Sequence, residues 1–246
     1  MTMNKLLLGI AAVAMSAVST MAAASDVVRL GTEGAYPPYN FINDKGEVDG
    51  FERELGDTLC AIAQLNCVWV TNDWDSIIPN LVSGNYDAIL AGMSITAERD
   101  EVIDFTQNYF PPDPSAYVTA AAGSAAAING VVAAQTNTIQ SGHVASSGAT
   151  LVEFATPDET IAAVKSGEAD AVLADKAFLE PIVKESGGAL KFVGDDVLLG
   201  GGVGMGLRES DNALKAKLDA AIAAVKADGS LNAMIAKWFD GKEGGF

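Results

Sequence analysis

The hydrophobic positions of this chain repeat with two periods in alternation, a short continuous run followed by a helical stripe, which is the pattern of an α/β protein. Val27 to Thr32 reads as a buried strand, and Gly34, Pro37 and Pro38 force an irregular segment directly after it, where functional loops often sit. Asn43, Asp44, Lys45 and Gly46 make a turn, and Phe51, Leu55, Leu59 and Ile62 fall at helical spacing, which predicts a helix over 51–63. An apolar strand follows at Cys67, Val68, Trp69 and Val70. The next stripe, Ile77, Ile78, Leu81 and Val82, predicts a helix over about 74–83 that Gly84 closes before a strand over 87–91. Near the end, Leu214, Leu218, Ile222 and Val225 share a helix face stopped by Gly229, and a shorter helix carries Trp238 and Phe239.

A weak internal repeat organises these elements. Residues 83–91, SGNYDAILA, return 83 residues later at 166–174 as SGEADAVLA, each copy a helix end, a glycine cap and a buried strand. That spacing is too long for a solenoid, so two α/β lobes sharing one supersecondary unit is the simplest reading. Between the copies lies Pro111-Pro112-Asp113-Pro114, which stops both helix and central strand and marks a crossover. The glycine-dense run from Leu199 to Leu207 marks a second crossover; it lacks the dinucleotide-binding spacing G-x-G-x-x-G. Two crossings place both chain ends in one discontinuous lobe, 25–112 with 199–246, and make 113–198 an inserted second lobe. Such a pair encloses a cleft lined by strand ends and can close on a ligand.

The first 24 residues do not fit this plan. Lys5 is followed by an apolar and small-residue run ending in Ala22-Ala23-Ala24, the pattern of a secretory leader that is cleaved, and no cysteine follows to carry a lipid. The expected compartment is the periplasm. There Cys60 and Cys67, the only cysteines, can form a structural disulfide, with a redox-active pair as the rival. The 246 residues are 49% hydrophobic, enough for a real core, and the net charge of −17 argues against a nucleic-acid surface. With one histidine and two cysteines, an all-protein structural zinc site lacks ligands, and no cofactor is implied. His143 has no nucleophile motif nearby, so catalysis finds no constellation.

What does stand out is polar and aromatic residues at strand ends. The motifs Gly31-Thr32-Glu33-Gly34-Ala35-Tyr36-Pro37-Pro38-Tyr39, Gly50-Phe51-Glu52-Arg53-Glu54-Leu55, Trp74-Asp75-Ser76-Ile77-Ile78-Pro79 and Ser94-Ile95-Thr96-Ala97-Glu98-Arg99 occur in this order. Through Asp170-Ala171 and Gly204-Met205-Gly206-Leu207-Arg208 the chain resembles, over almost its whole length, the polar amino-acid binding proteins of ABC importers. The resemblance implies a periplasmic binding protein type II fold, and monomeric receptors that hand an amino acid to the membrane permease of the importer.

It also implies roles. Arg99 matches the clamp on the ligand α-carboxylate, which a planar guanidinium can grip with two parallel bonds. Ser94 and the backbone of Ala91 and Gly92 match further contacts to carboxylate and amine, Thr138 a donor from the inserted lobe, and Asp175 the acceptor of the α-ammonium; on residue type alone Asp175 would be a helix cap. Tyr36 and Trp74 match an aromatic pair that sandwiches the ligand chain. Glu33 and Glu52 match acidic positions that greet a distal cation, and a buried carboxylate pair disfavours a neutral guest. The expected ligand is a basic L-amino acid, arginine first, then ornithine or lysine. An opine, an arginine conjugate, is the alternative ligand. The same fold also hosts a periplasmic cyclohexadienyl dehydratase, in which Glu33 would be the acid, and receptor-type sensory modules, which need membrane segments this pattern lacks.

Overall fold

A computed structural model describes residues 27–246; the expected leader lies outside the described residues. The chain opens with β1 (Val27–Thr32), a small antiparallel sheet of β2 (Ala35–Tyr36), β3 (Asn40–Ile42) and β4 (Val48–Asp49), then α1 (Phe51–Ile62) and β5 (Asn66–Thr71). A 3-10 turn at Trp74–Ser76 leads into α2 (Ile77–Val82), followed by β6 (Ala88–Ile89), α3 (Ala97–Asp100) and β7 (Asp104–Phe105). The chain then passes into a second sheet through β8 (Pro114–Ala120), β9 (Val131–Gln135), α4 (Ile139–Ser147), β10 (Thr150–Phe154), α5 (Pro157–Ser166), β11 (Ala171–Asp175), α6 (Lys176–Glu185) and β12 (Leu190–Leu198). It returns with β13 (Gly206–Leu207), α7 (Asn212–Ala227) and α8 (Ser230–Trp238).

The two five-stranded sheets share one plan. The first runs β5-β1-β6-β13-β7 and the second β10-β9-β11-β8-β12. In each, the first three strands are parallel and the fourth is antiparallel to the third and to the edge strand. β6 and β11, the strands of the sequence repeat, are the middle strands of their sheets, each preceded by a helix and a left-handed glycine, Gly84 and Gly167. The repeat is therefore a shared supersecondary unit, and the architecture is two sheet-containing α/β lobes. In both lobes the parallel strands end at the same side, where open α/β sheets bind ligands: β1 runs into Glu33, β6 into Ala91 and Gly92, β9 ends at Gln135 and β11 at Asp175.

Local chemistry explains the departures from the sequence pattern. The helix expected over 74–83 begins as a 3-10 turn and becomes α-helical only at Ile77, which leaves Pro79 in its first turn, where a missing N–H costs nothing. The strand expected over 87–91 is regular only at two residues, yet Asp87 N donates to Arg29 O and Leu90 N to Gly31 O, so the pairing continues at both ends. Pro114 is tolerated as the first residue of β8. Gly50, at φ 114° before α1, has no substitute, because a Cβ there would lie 2.6 Å from the Tyr39 carbonyl oxygen.

Each lobe has its own core. Leu30, Leu55, Leu59, Phe110, Leu218 and Ile235 pack the first, and Val118, Ala133, Val172, Phe178 and Leu179 the second. The Cys60–Cys67 disulfide is present and ties the end of α1 to β5. Among the described residues no helix is long and apolar enough to cross a membrane, and no cluster of three or more His, Cys, Asp or Glu could hold a metal.

Candidate functional site

A narrow cleft lies between the strand ends of the two lobes. Glu33, Tyr36, Trp74, Ala91, Gly92, Ser94 and Arg99 line it from the first lobe, and Gln135, Thr138, Ile139, Gln140 and Asp175 from the second. Nine of the ten residues expected at the site therefore meet in one cleft, although their sequence positions span more than half the chain.

Arg99 sits in the four-residue α3, whose first turn is capped by the Thr96 hydroxyl accepting from Arg99 N. Its guanidinium donates to the carbonyls of Ser94 at 2.8 Å and, across the cleft, Asn137 at 3.2 Å, and its centre lies 5.3 Å from the Trp74 ring. It has no ion pair among the described residues, so neither Glu98 nor Glu101 neutralises it. Burial lowers its pKa to about 10, against the opposing pull of Asp175 and Glu98. Such a cation keeps donors and positive potential for an incoming carboxylate.

Asp175 ends β11 and begins α6, but it is not a side-chain cap. Its Oδ2 accepts from the Tyr36 hydroxyl at 2.8 Å and its Oδ1 from Gln140 Nε2 at 2.9 Å. Burial raises its pKa to about 6, although Tyr36 and Arg99 favour the charged form. Glu33 follows β1 and accepts from Gln135 Nε2 at 2.6 Å. Burial, aided by Asp73 and Asp158, raises its pKa to about 7 in spite of the Gln135 bond. The cleft thus holds two carboxyl groups facing one guanidinium.

The structure corrects one expectation and adds detail to three others. Glu52 does not line the cleft: it is fully buried at the start of α1, where Oε1 accepts from Gly92 N at 2.6 Å and from the Tyr109 hydroxyl, and Oε2 accepts from Asn40 Nδ2 at 2.7 Å. With both oxygens engaged it braces the cleft wall, because Asn40 in turn holds Gly34 N at 2.7 Å and so ties the Glu33 loop to the Gly92 loop. Burial raises its pKa, while these three donors lower it. Secondly, Gly92 spends its N–H on Glu52 and has only its carbonyl left to offer a ligand. Thirdly, Tyr36 and Trp74 both line the cleft but are not a vacant sandwich: Tyr36 stacks on Phe178 of α6, ring centroids 4.2 Å apart and planes 12° from parallel, and Arg99 covers Trp74. Lastly, the Thr138 hydroxyl caps α4, accepting from Ser141 N and donating to Gln135 O. Gln135, Ile139 and Gln140 were missed, since their residue types carry no signal apart from the fold.

The family model for bacterial extracellular solute-binding proteins, family 3, matches residues 28–241. The L-arginine-binding protein of Pseudomonas aeruginosa is 33% identical, over 96% of this chain and 97% of that protein. The lysine/arginine/ornithine-binding periplasmic protein of Escherichia coli K12 is 32% identical, over 92% of each. A periplasmic His/Glu/Gln/Arg/opine family-binding protein from Silicibacter pomeroyi, solved in complex with lysine, is 71% identical and superposes with a TM-score of 0.87, covering 89% of this chain and 100% of that one. With a family match along nearly its whole described length and the strand-end cleft that such a match predicts, the chain belongs to the bacterial extracellular solute-binding proteins, family 3.

Proposed function

We propose that this protein is a periplasmic receptor that captures a basic L-amino acid between its lobes and delivers it to the membrane permease of an ABC importer, acting as a monomer and without chemistry on its ligand. The observation that carries the reading is the charge of the cleft. Arg99 contributes one positive charge, and Glu33 and Asp175 contribute two negative ones when ionised. An α-carboxylate on Arg99, an α-ammonium on Asp175 and a side-chain cation on Glu33 balance this set, whereas a neutral amino acid leaves Glu33 buried without an opposite charge. Relatives named for arginine, for lysine, arginine and ornithine, and one solved with lysine, support the same ligand class. The leader expected over 1–24 supplies the route to the periplasm, and the lobes divide as 25–112 with 199–246 against 113–198.

Calorimetric titration of protein stripped of ligand tests this: lysine, ornithine and arginine bind, and glutamine binds at least tenfold more weakly. Binding of glutamine but not of any cationic amino acid overturns it. Conversion of arogenate or prephenate to an aromatic product would overturn the binding-only role. One observation favours a larger guest as a second reading. An adjoining cleft of about 620 Å³ shares Trp74, Arg99, Thr138 and Ile139 with the site, room for the carboxylated appendage of an opine. Tighter binding of an opine than of the free amino acids selects that reading.

A further inference from the structure

The acidic end of the cleft is shaped by Gln135, the last residue of β9, only 8% exposed and paired with Phe154 of β10. Its amide nitrogen carries two N–H bonds and both are used: one donates to the Ala155 carbonyl at 3.1 Å, and the other crosses between lobes to Glu33 Oε1 at 2.6 Å. A carbonyl oxygen only accepts, so the Ala155 bond fixes which end of the amide is nitrogen. Strand β9 and Ala155 belong to the same lobe. The amide is therefore held in place independently of Glu33 and meets it where the lobes are in contact. Among the described residues Glu33 Oε2 accepts no hydrogen bond, and Glu33 lines the cleft.

We infer that Gln135 is a positioning residue that sets ligand preference: by donating to Glu33 Oε1 on closure it leaves Oε2 as the one Glu33 oxygen free of a donor, and so favours an ammonium tip, lysine or ornithine, over the guanidinium of arginine, which would have to share Oε1. The inference rests on the basic amino-acid reading above. An ammonium is a compact point charge with rotatable donors, satisfied by one oxygen. A guanidinium draws its advantage from pairing both carboxylate oxygens in one plane. With one oxygen already holding an amide N–H, the second bond of the pair has to share that oxygen and is weakened. The preference expected from the sequence, arginine before lysine, is thereby reversed.

Titration calorimetry on stripped protein tests the inference with lysine and arginine as probes. The wild type binds lysine at least tenfold more tightly than arginine. Gln135→Met, close in volume and without a donor, frees Oε1 and shifts the ratio of the two dissociation constants at least tenfold toward arginine, and Gln135→Ala does the same should the first variant not fold. A general loss of stability or of closure acts on both ligands alike and leaves the ratio unmoved. Arginine binding as tightly as lysine in the wild type, or a ratio within threefold of wild type in the folded variant, overturns the inference. Wild-type protein that binds glutamine but neither cation overturns the basic amino-acid reading itself and this inference with it.

Discussion

On the proposed binding mode Arg99 is the residue that every α-amino acid engages, because among the described residues it is the one guanidinium lining the cleft and has no ion pair. Arg99→Ala weakens every α-amino acid by roughly 30-fold or more, as loss of one partner of a desolvated charge pair does, and titration calorimetry reads this directly. Glu33 acts at the other end, so Glu33→Gln weakens lysine and arginine by about tenfold or more while glutamine changes by less than about threefold. The same residues impose a pH dependence. Glu33 and Asp175 are raised from 4.5 and 3.8 to about 7 and about 6, so the folded, ligand-free protein retains protons that the unfolded chain has released. Their contribution to stability is full below about pH 4 and is lost as the pH rises toward 7. Asp87, lowered to about 2 by Arg29 and Arg208, works in the opposite sense, but its contribution fades only on acidification below its ordinary value of 3.8. The ligand-free melting temperature is therefore higher at pH 5 than at pH 8, Glu33→Gln flattens that slope, and lysine affinity falls over the same acidification as protons compete for Glu33.

At the scale of elements, neighbouring loops of the site are tied to one helix. The Glu52 carboxylate at the start of α1 gathers Asn40, Gly92 and Tyr109, and Asn40 holds Gly34. From sequence, an acidic residue in a first helical turn is unremarkable, and only the arrival of β6 and Tyr109 from distant positions makes Glu52 a brace. The opposite end of α1 is held by the Cys60–Cys67 disulfide, far along the helix from Glu52. Reduction costs about 2 to 3 kcal/mol by loop-closure entropy, seen as a lowered melting temperature, while ligand affinity at 25 °C changes by less than about twofold. The elements themselves were legible where apolar periodicity is strong, as in α1 and α7. Their limits were blurred where Pro79 or a two-residue strand made local geometry decide.

The whole molecule is described with its lobes in contact: Tyr36 reaches Asp175, Glu33 meets Gln135, and Arg99 reaches the Asn137 carbonyl. Tyr36→Phe keeps the ring on Phe178 and removes the bond to Asp175, worth about 1.5 to 3 kcal/mol for a charged acceptor. The ligand-free variant shifts toward open forms by roughly tenfold or more, measured as a longer distance between spin labels on opposite lobes. The two-lobe plan, its repeat and the residues at the strand ends were readable from the chain, since burial periodicity, glycine caps and strand-terminal polar residues are local signals. The roles of Glu52, Tyr36 and Gln135 were not. Each depends on which polar atom lies within 3 Å across a gap that closes only when distant segments meet, and hydrogen-bond competition of that kind has no imprint on the neighbouring sequence. The chain by itself determined the architecture and the acidic, guanidinium-bearing character of the cleft; the tertiary structure alone decided which carboxylate oxygens are free of donors, because residues brought together from both lobes engage the others.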